Sequence, residues 1–242
     1  MEEVRRELRG RMSDMLSYLR MLQFIEQAGG RVSLQARKSM SMPVSSSTIY
    51  VMKAGVFLHL YNLVESTVTA GLECIAEEIR ATNVVFRDLN DCWRKAWATS
   101  VMKLEEEFAL DNKLTPETRL TGALRLCQAV SDEKSMDIKP RFKVGGLDDR
   151  SIEELVLRYG ISLKIRSQVR KAVKHQVLDD LGFLGVVRKR RNDLAHGHDS
   201  FADIGRNYST SDLVKWSWAT YQYLKEVLSS FEAYVLAKHY RR

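Results

Sequence analysis

Apolar residues recur along most of this chain at three- and four-residue steps, the period of a helix with one face turned inward. Val4, Leu8, Met12, Met15, Leu16, Leu19, Leu22 and Ile25 keep that period until Gly29-Gly30, which predicts an amino-terminal helix over 1–30. Residues 31–47, rich in Ser with one Pro, read as a loop. Thr48 is placed to cap a second helix over 49–80, apolar on nearly every face and therefore central to the core. Leu89, Trp93, Trp97, Val101, Leu104 and Phe108 mark a third helix, whose aromatic stripe reads as core packing rather than base stacking.

Thr115-Pro116 opens a further helix with Pro in its first turn. Residues 132–149 read as irregular, ending Gly145-Gly146-Leu147-Asp148. Ser151 and Glu154 fit a capping box, and Gly160 stops the short helix that it starts. After a basic, sparsely apolar segment at 161–176, Val177, Leu181, Leu184 and Val187 begin a helix that carries Arg191 and ends at Gly197. A last helix starts near Ser211 and holds Leu213, Trp216, Tyr223, Leu224, Leu228, Phe231 and Val235. There is no internal repeat, heptad array or low-complexity tract. The expectation is one all-α domain over 1–242: an N-terminal helix (1–30), core helices (49–110), an insertion-like region (111–176), and a motif helix with the C-terminal helix (177–240).

Composition sharpens this picture. Only three Pro and 13 Gly among 242 residues favour long helices over a many-turned β protein, and 45% hydrophobic content suffices for a packed core. The opening Met-Glu-Glu-Val-Arg-Arg-Glu lacks the apolar stretch of a signal peptide. The most apolar segment, 49–79, is broken by Lys53, His59, Glu65, Glu73, Glu77 and Glu78, so no membrane span is expected and a soluble, cytoplasmic protein is. Cys74, Cys92 and Cys127 are odd in number and lack a CxxC pairing, which reads as free thiols. No HExxH, no clustered acidic and His set and no phosphate-cradling glycine loop occur, so neither metal nor cofactor is expected.

The net charge is +7, and +5 of it falls between Arg166 and His196. Such a run is either a solvated helix face or a phosphate-binding track, for which Arg170, Lys174, Arg188, Lys189 and Arg190 are the candidate RNA contacts. It leads into Arg191-Asn-Asp-Leu-Ala-His196-Gly197. A permanent cation beside a side chain that titrates near neutral pH is a minimal kit for breaking RNA phosphodiesters without a metal. The spacing alone is close to a chance event, since Arg170 and His175 repeat it. Context favours the later pair. Asn192 adds a polar group, Leu194 and Ala195 give a packing side, and Gly197 suits a helix end where a cationic His is favoured. Positions five apart on one helix are splayed by about 140°. Either Arg191 reaches around, or two helix ends combine, as dimerisation across this helix would achieve.

Arg191-Asn192-Asp-Leu-Ala-His196-Gly197 resembles the signature of the HEPN superfamily (higher eukaryote and prokaryote nucleotide-binding). The likeness extends to its MAE-type HEPN-like nuclease branch through Leu60-Tyr61-Asn62-Leu63-Val64-Glu65-Ser66-Thr67, Gly146-Leu147-Asp148, Tyr159-Gly160-Ile161, Ser200-Phe201 and Gly205-Arg206-Asn207-Tyr208. These blocks lie in order over about residues 49–240. The resemblance implies an all-α HEPN-like bundle, here with extra helices and long connections. It also implies a homodimer that brings two motifs into one cleft, and metal-independent RNA cleavage in a toxin or anti-phage effector held in check by an antitoxin or regulatory partner.

On that reading His196 is general base or acid for attack of a ribose 2′-OH, Arg191 holds the phosphate, and Asn192 orients either. The products expected are a 2′,3′-cyclic phosphate and a 5′-OH. The competing readings are a structural helix-end histidine in a non-catalytic RNA- or nucleotide-binding or scaffold module, and a DNA-binding or helical adaptor. Glu65 either pairs with a motif cation or makes an ordinary core salt bridge. His198 supports catalysis or faces solvent, while Arg206 and Tyr208 flank the cleft or pack the loop onto the last helix. Asp193, an unusual acid within the motif, bears on His196 only if it points inward.

Overall fold

The computed structural model describes residues 1–29, 31–34, 37–108, 116–131 and 146–242, in places by backbone alone. Helix α1 (Glu2–Gln27) buries Leu8, Met12, Met15, Leu19, Leu22 and Ile25, the stripe that the sequence marks. Its outer face carries Arg–Glu pairs, Arg9 with Glu2 at 2.8 Å and Arg6 with Glu3 at 3.1 Å. Gly29 takes a left-handed φ of 64° just past its end.

The segment expected to be a loop instead forms an antiparallel hairpin, β1 (Arg31–Leu34) with β2 (Arg37–Pro43). Val32 pairs with Met42, and Ser33 with Ser41. Alternation of small polar and larger residues suits a two-stranded ribbon, a weaker signal than the Ser content that suggested a loop.

The chain then enters α2 (Ser46–Ala81), 36 residues or about 54 Å long. Its cap is Ser45, whose hydroxyl accepts from the Thr48 N–H at 3.1 Å, so Thr48 is the third helical residue rather than the cap. Buried side chains circle this helix, from Ala54 and Phe57 to Ile75 and Ile79, as its all-round apolarity requires. Lys53 is buried with them, and its ammonium lies 2.7 Å from a Glu26 carboxylate oxygen. Burial pushes the Glu26 carboxyl up, but hydrogen bonds from Lys53 and Thr210 outweigh it and leave the group below its ordinary value.

Helix α3 (Asp91–Phe108) follows a short 3₁₀ turn. Leu89, Trp93 and Trp97 are buried, while the side chains of Val101, Leu104 and Phe108 lie outside the described residues. Helix α4 (Pro116–Ser131) begins at the expected proline. Most of the stretch read as irregular, 132–145, also lies outside the described residues.

Helix α5 (Asp149–Leu157) does have a capping box, but its members are Asp148 and Ser151. The Asp148 carboxylate accepts from the Ser151 N–H at 2.8 Å, and the Ser151 hydroxyl accepts from the Asp148 N–H at 2.7 Å. The acid one turn earlier outcompetes the Ser–Glu alternative because a carboxylate is the stronger acceptor at a helix start. Gly160, with φ of 73°, turns the chain away.

The basic segment contains α6 (Ser167–Lys174), then a second hairpin, β3 (Gln176–Leu178) with β4 (Leu181–Gly182), whose corner residues Asp179 and Asp180 both have positive φ. Helix α7 (Phe183–His196) therefore starts six residues later than Val177 suggested. α8 (Phe201–Arg206) and α9 (Thr210–Leu236) complete the chain. Among the described residues the architecture is all-α apart from the two hairpins, and no helix is long and apolar enough to cross a membrane.

Two clusters divide the core. One gathers the later half of α2 with α3, α5 and the body of α9, including Leu72, Trp93, Ile152, Leu224 and Phe231. Trp93 donates its indole N–H to the Tyr234 hydroxyl at 2.9 Å, and that hydroxyl donates to the Tyr159 carbonyl at 3.0 Å, so buried polar groups are satisfied along this seam. The other joins α1, the first half of α2, α7, α8 and the start of α9 through Met15, Phe57, Leu60, Val186, Ile204 and Leu213. The second cluster seats the motif helix.

Candidate functional site

Helix α7 is built in two halves. Phe183, Leu184, Val186 and Val187 are all at most 2% exposed and sink its start into the core. From Arg188 onward only Leu194 remains buried, at 9% exposure, so polar residues emerge on several faces around one apolar anchor. Gly197 ends the helix in a left-handed conformation, φ 69°, that a side chain would strain. The Gly197 N–H donates to the Leu194 carbonyl and the His198 N–H to the Asp193 carbonyl at 3.0 Å, the paired bonds of a Schellman stop.

That stop leaves His196 as the last helical residue, exposed, with the exposed His198 ring 5.9 Å away.

Arg191 is fixed differently. Its guanidinium lies 4.6 Å over the ring of Tyr61 from α2, and its Nη1 donates to the Asn192 side-chain oxygen at 3.2 Å. Tyr61 is 1% exposed, and its hydroxyl accepts from the Gly146 N–H at 2.8 Å. The ring is thus held at both ends of its contact set, and the cation above it is half-buried rather than floppy. Because α7 is a continuous helix through both residues, Arg191 and His196 project about 140° apart. Asn192 is on Arg191; the two motif residues are not brought together within one chain.

The neighbouring arginines are committed to the fold. Arg190 donates from Nε to the Tyr208 hydroxyl at 2.9 Å and pairs with Asp193 at 3.3 Å and Asp199 at 3.6 Å. Burial opposes its charge, but Tyr208 and Asp193 outweigh that and raise its pKa further. The Asp193 carboxylate is thereby turned to Arg190. Arg188 pairs with Asp148 at 2.7 Å and donates to the Gly146 carbonyl at 3.3 Å, tying α7 to the start of α5. Arg170 meets Glu153 at 2.8 Å, and Lys174 stands 4.0 Å from the same carboxylate. Lys189 is exposed.

Tyr208 packs edge-on against Phe57 and Trp216, with centroids 4.9 and 5.5 Å away, so it pins the loop onto α2 and α9. Arg206 is exposed and pairs with Asp203 on its own short helix. Gly205 lets that helix touch α2: a Cβ there would fall 1.8 Å from the Tyr50 carbonyl oxygen. Glu65 makes neither of the two ion pairs weighed for it among the described residues. It lines an open groove of about 460 Å³ with Arg11, Asn62 and Glu73. No group of three or more His, Cys, Asp or Glu side chains that could hold a metal occurs among the described residues.

Tyr61, Gly146, Asp148 and Asp199 are the positioning residues that periodicity and spacing missed. Tyr61 looked like one more apolar position of a buried helix. A signal was present in the Gly-Leu-Asp block, whose backbone and carboxylate serve Tyr61 and Arg188, but its partners are far away in sequence.

Residues 6–240 match a family model described as HEPN_MAE_28990:/-like HEPN. No curated protein and no solved structure matches the chain.

Proposed function

Because the chain belongs to the HEPN_MAE_28990-like HEPN family, matched over residues 6–240, we propose that it is a metal-independent RNA endonuclease. His196, exposed at the end of α7, takes the proton from a ribose 2′-OH as that oxygen attacks the adjacent phosphorus. The O2′–P bond forms, the P–O5′ bond breaks, and an imidazolium returns a proton to the departing O5′. The ends left are a 2′,3′-cyclic phosphate and a 5′-OH. Arg191 binds the phosphate and offsets the charge that gathers on its oxygens, and Asn192 orients the guanidinium.

The observation that carries this reading is the family match joined to the exposure of His196 and the fixed posture of Arg191 over Tyr61. Since the two project from different faces of one helix, the cleft is composed from two copies of the chain, the Arg191 of one meeting the His196 of the other. Lys189 is the freest of the basic residues to track the strand; Arg188, Arg190, Arg170 and Lys174 contribute field more than direct contacts, as their carboxylate partners already hold them. The biological role is a toxin or anti-phage effector in the cytoplasm, restrained by an antitoxin or regulatory protein.

Cleavage of total RNA in EDTA by the wild-type protein, abolished in His196→Ala, is the expected result. Intact RNA at high wild-type concentration overturns the enzyme reading. It would favour a second reading, a non-catalytic RNA- or nucleotide-binding or scaffold module, to which the separation of Arg191 from His196 in a single chain also points.

A further inference from the structure

Beside Arg190 of α7 the structure contains a cavity of about 730 Å³, within the range of small-molecule sites. His175 and strand β3 line it together with the first turns of α9, Arg190, Asn207 and Tyr208. Tyr208 and Trp216 meet edge to face, 67° apart, and both line the cavity, with Phe183 stacked behind Trp216 and the Arg190 guanidinium 5.8 Å over the Tyr208 ring. Leu178 adds a half-buried aliphatic surface, and Val177 stands exposed at the mouth. The charged groups facing the cavity are mostly basic: His175 and Lys215, both exposed, and Arg190, against a single acid, Asp212. Asp212 lies 3.6 Å from the Lys215 ammonium, an exposed and therefore weak pair that a phosphate can displace, and accepts from the Ser209 hydroxyl at 2.6 Å, while Arg190 is held by Asp193 and Asp199.

An aromatic corner with cations at its rim suits a planar, hydrogen-bonding ring attached to a phosphate better than it suits a bare anion, which needs no ring, or an alkyl chain, which needs no cation. We propose that this cavity binds one unpaired nucleobase of the RNA strand, an assignment that rests on the reading of the chain as an RNA nuclease. The base stacks in the Tyr208–Trp216 corner, and Asn207 and His175 offer polar groups to its edge. Lys215 takes the phosphate attached to it. A base held here, one helix flank away from Arg191, would select where along a single strand the motif acts. Duplex RNA, with its bases stacked and paired, would be excluded.

The test uses the His196→Ala protein, which keeps the strand whole, and a short fluorescein-labelled single-stranded RNA containing 4-thiouridine. Anisotropy gives affinity, and ultraviolet crosslinking followed by peptide mass spectrometry gives the contact. The crosslink is expected within 175–178 or 207–216. Val177→Glu and Lys215→Ala, both changes of exposed residues, should each weaken binding roughly fivefold to tenfold, the first by obstructing the stacked base and the second by removing a phosphate contact, with Tm unchanged.

Crosslinks mapping only elsewhere, or variants that bind like the parent, overturn the assignment. Displacement of the RNA by 5′-UMP at the same concentration also overturns it, because the site would then serve a free nucleotide. The two readings fail separately. A wild-type protein that cuts nothing yet crosslinks at 175–178 refutes the enzyme alone, and one that cuts RNA but crosslinks elsewhere refutes the pocket alone.

Discussion

Arg190 and Arg191 are chemically identical neighbours on one helix, and the fold treats them in opposite ways. Arg190 is enclosed by Asp193, Asp199 and the Tyr208 hydroxyl, and its side chain is 14% exposed. All three partners sit in the loop or helix end that follows it, so this cation staples the chain beyond the motif back onto α7. Arg191 has no carboxylate in contact among the described residues; it rests on an aromatic face and one amide oxygen. A ring and an amide hold a guanidinium in place without neutralising it. One flank of the helix therefore consumes its charge in structure, while the other leaves it unopposed by any carboxylate among the described residues. Sequence distance from His196 does not separate the two arginines; the partners that each one meets do.

The largest effect expected is on cleavage. Arg191→Ala should lower it on the order of a thousandfold, as loss of a charge-stabilising group does, while costing less than about 1 kcal/mol of stability from the lost ring contact. Cleavage assays beside thermal melts check both halves, and a stability loss as large as the activity loss would erase the contrast between the flanks.

Gly205→Ala comes next, at about 3 kcal/mol of destabilisation, because α8 must move off the Tyr50 carbonyl. Urea denaturation measures it. The shift should loosen the Arg190 flank, which α8 leads into, and leave a urea-free protein able to cut.

Arg190→Ala should cost about 2 kcal/mol, since two carboxylates and a hydroxyl lose a shared partner, with cleavage per folded molecule reduced far less than in Arg191→Ala. Tyr61→Phe is the mildest. It removes only the acceptor of the Gly146 N–H, about 1 kcal/mol, and keeps the ring beneath Arg191, so kcat should hold.

Much of the motif's setting was legible in the sequence. The stop at Gly197 was read from a glycine after a polar helix end, and the buried stripes of α1 and the aromatic stripe of α3 from periodicity. The start of α7 was not. Val177 and Leu181 lie at helical spacing, and nothing local announces that Asp179 and Asp180 take positive φ and fold the segment into a hairpin. Caps slipped by one turn because both members of each pair, Ser45 and Thr48 or Asp148 and Ser151, are residues that can accept at a helix start and lie three residues apart. The platform under Arg191 was hidden most deeply, since Tyr61 shows its role only once α2 and α7 are packed together.

The proposed reaction at His196 and Arg191 is RNA-specific and needs two copies of the chain. The most direct measurement is mass spectrometry of the ends produced from a single-stranded RNA in EDTA, beside the same strand with one 2′-deoxy nucleotide at the cut site. Cyclic 2′,3′-phosphate and 5′-OH ends from the first, with no cut at the substituted position in the second, are expected. Cleavage at the deoxy position, or 5′-phosphate ends, would contradict it.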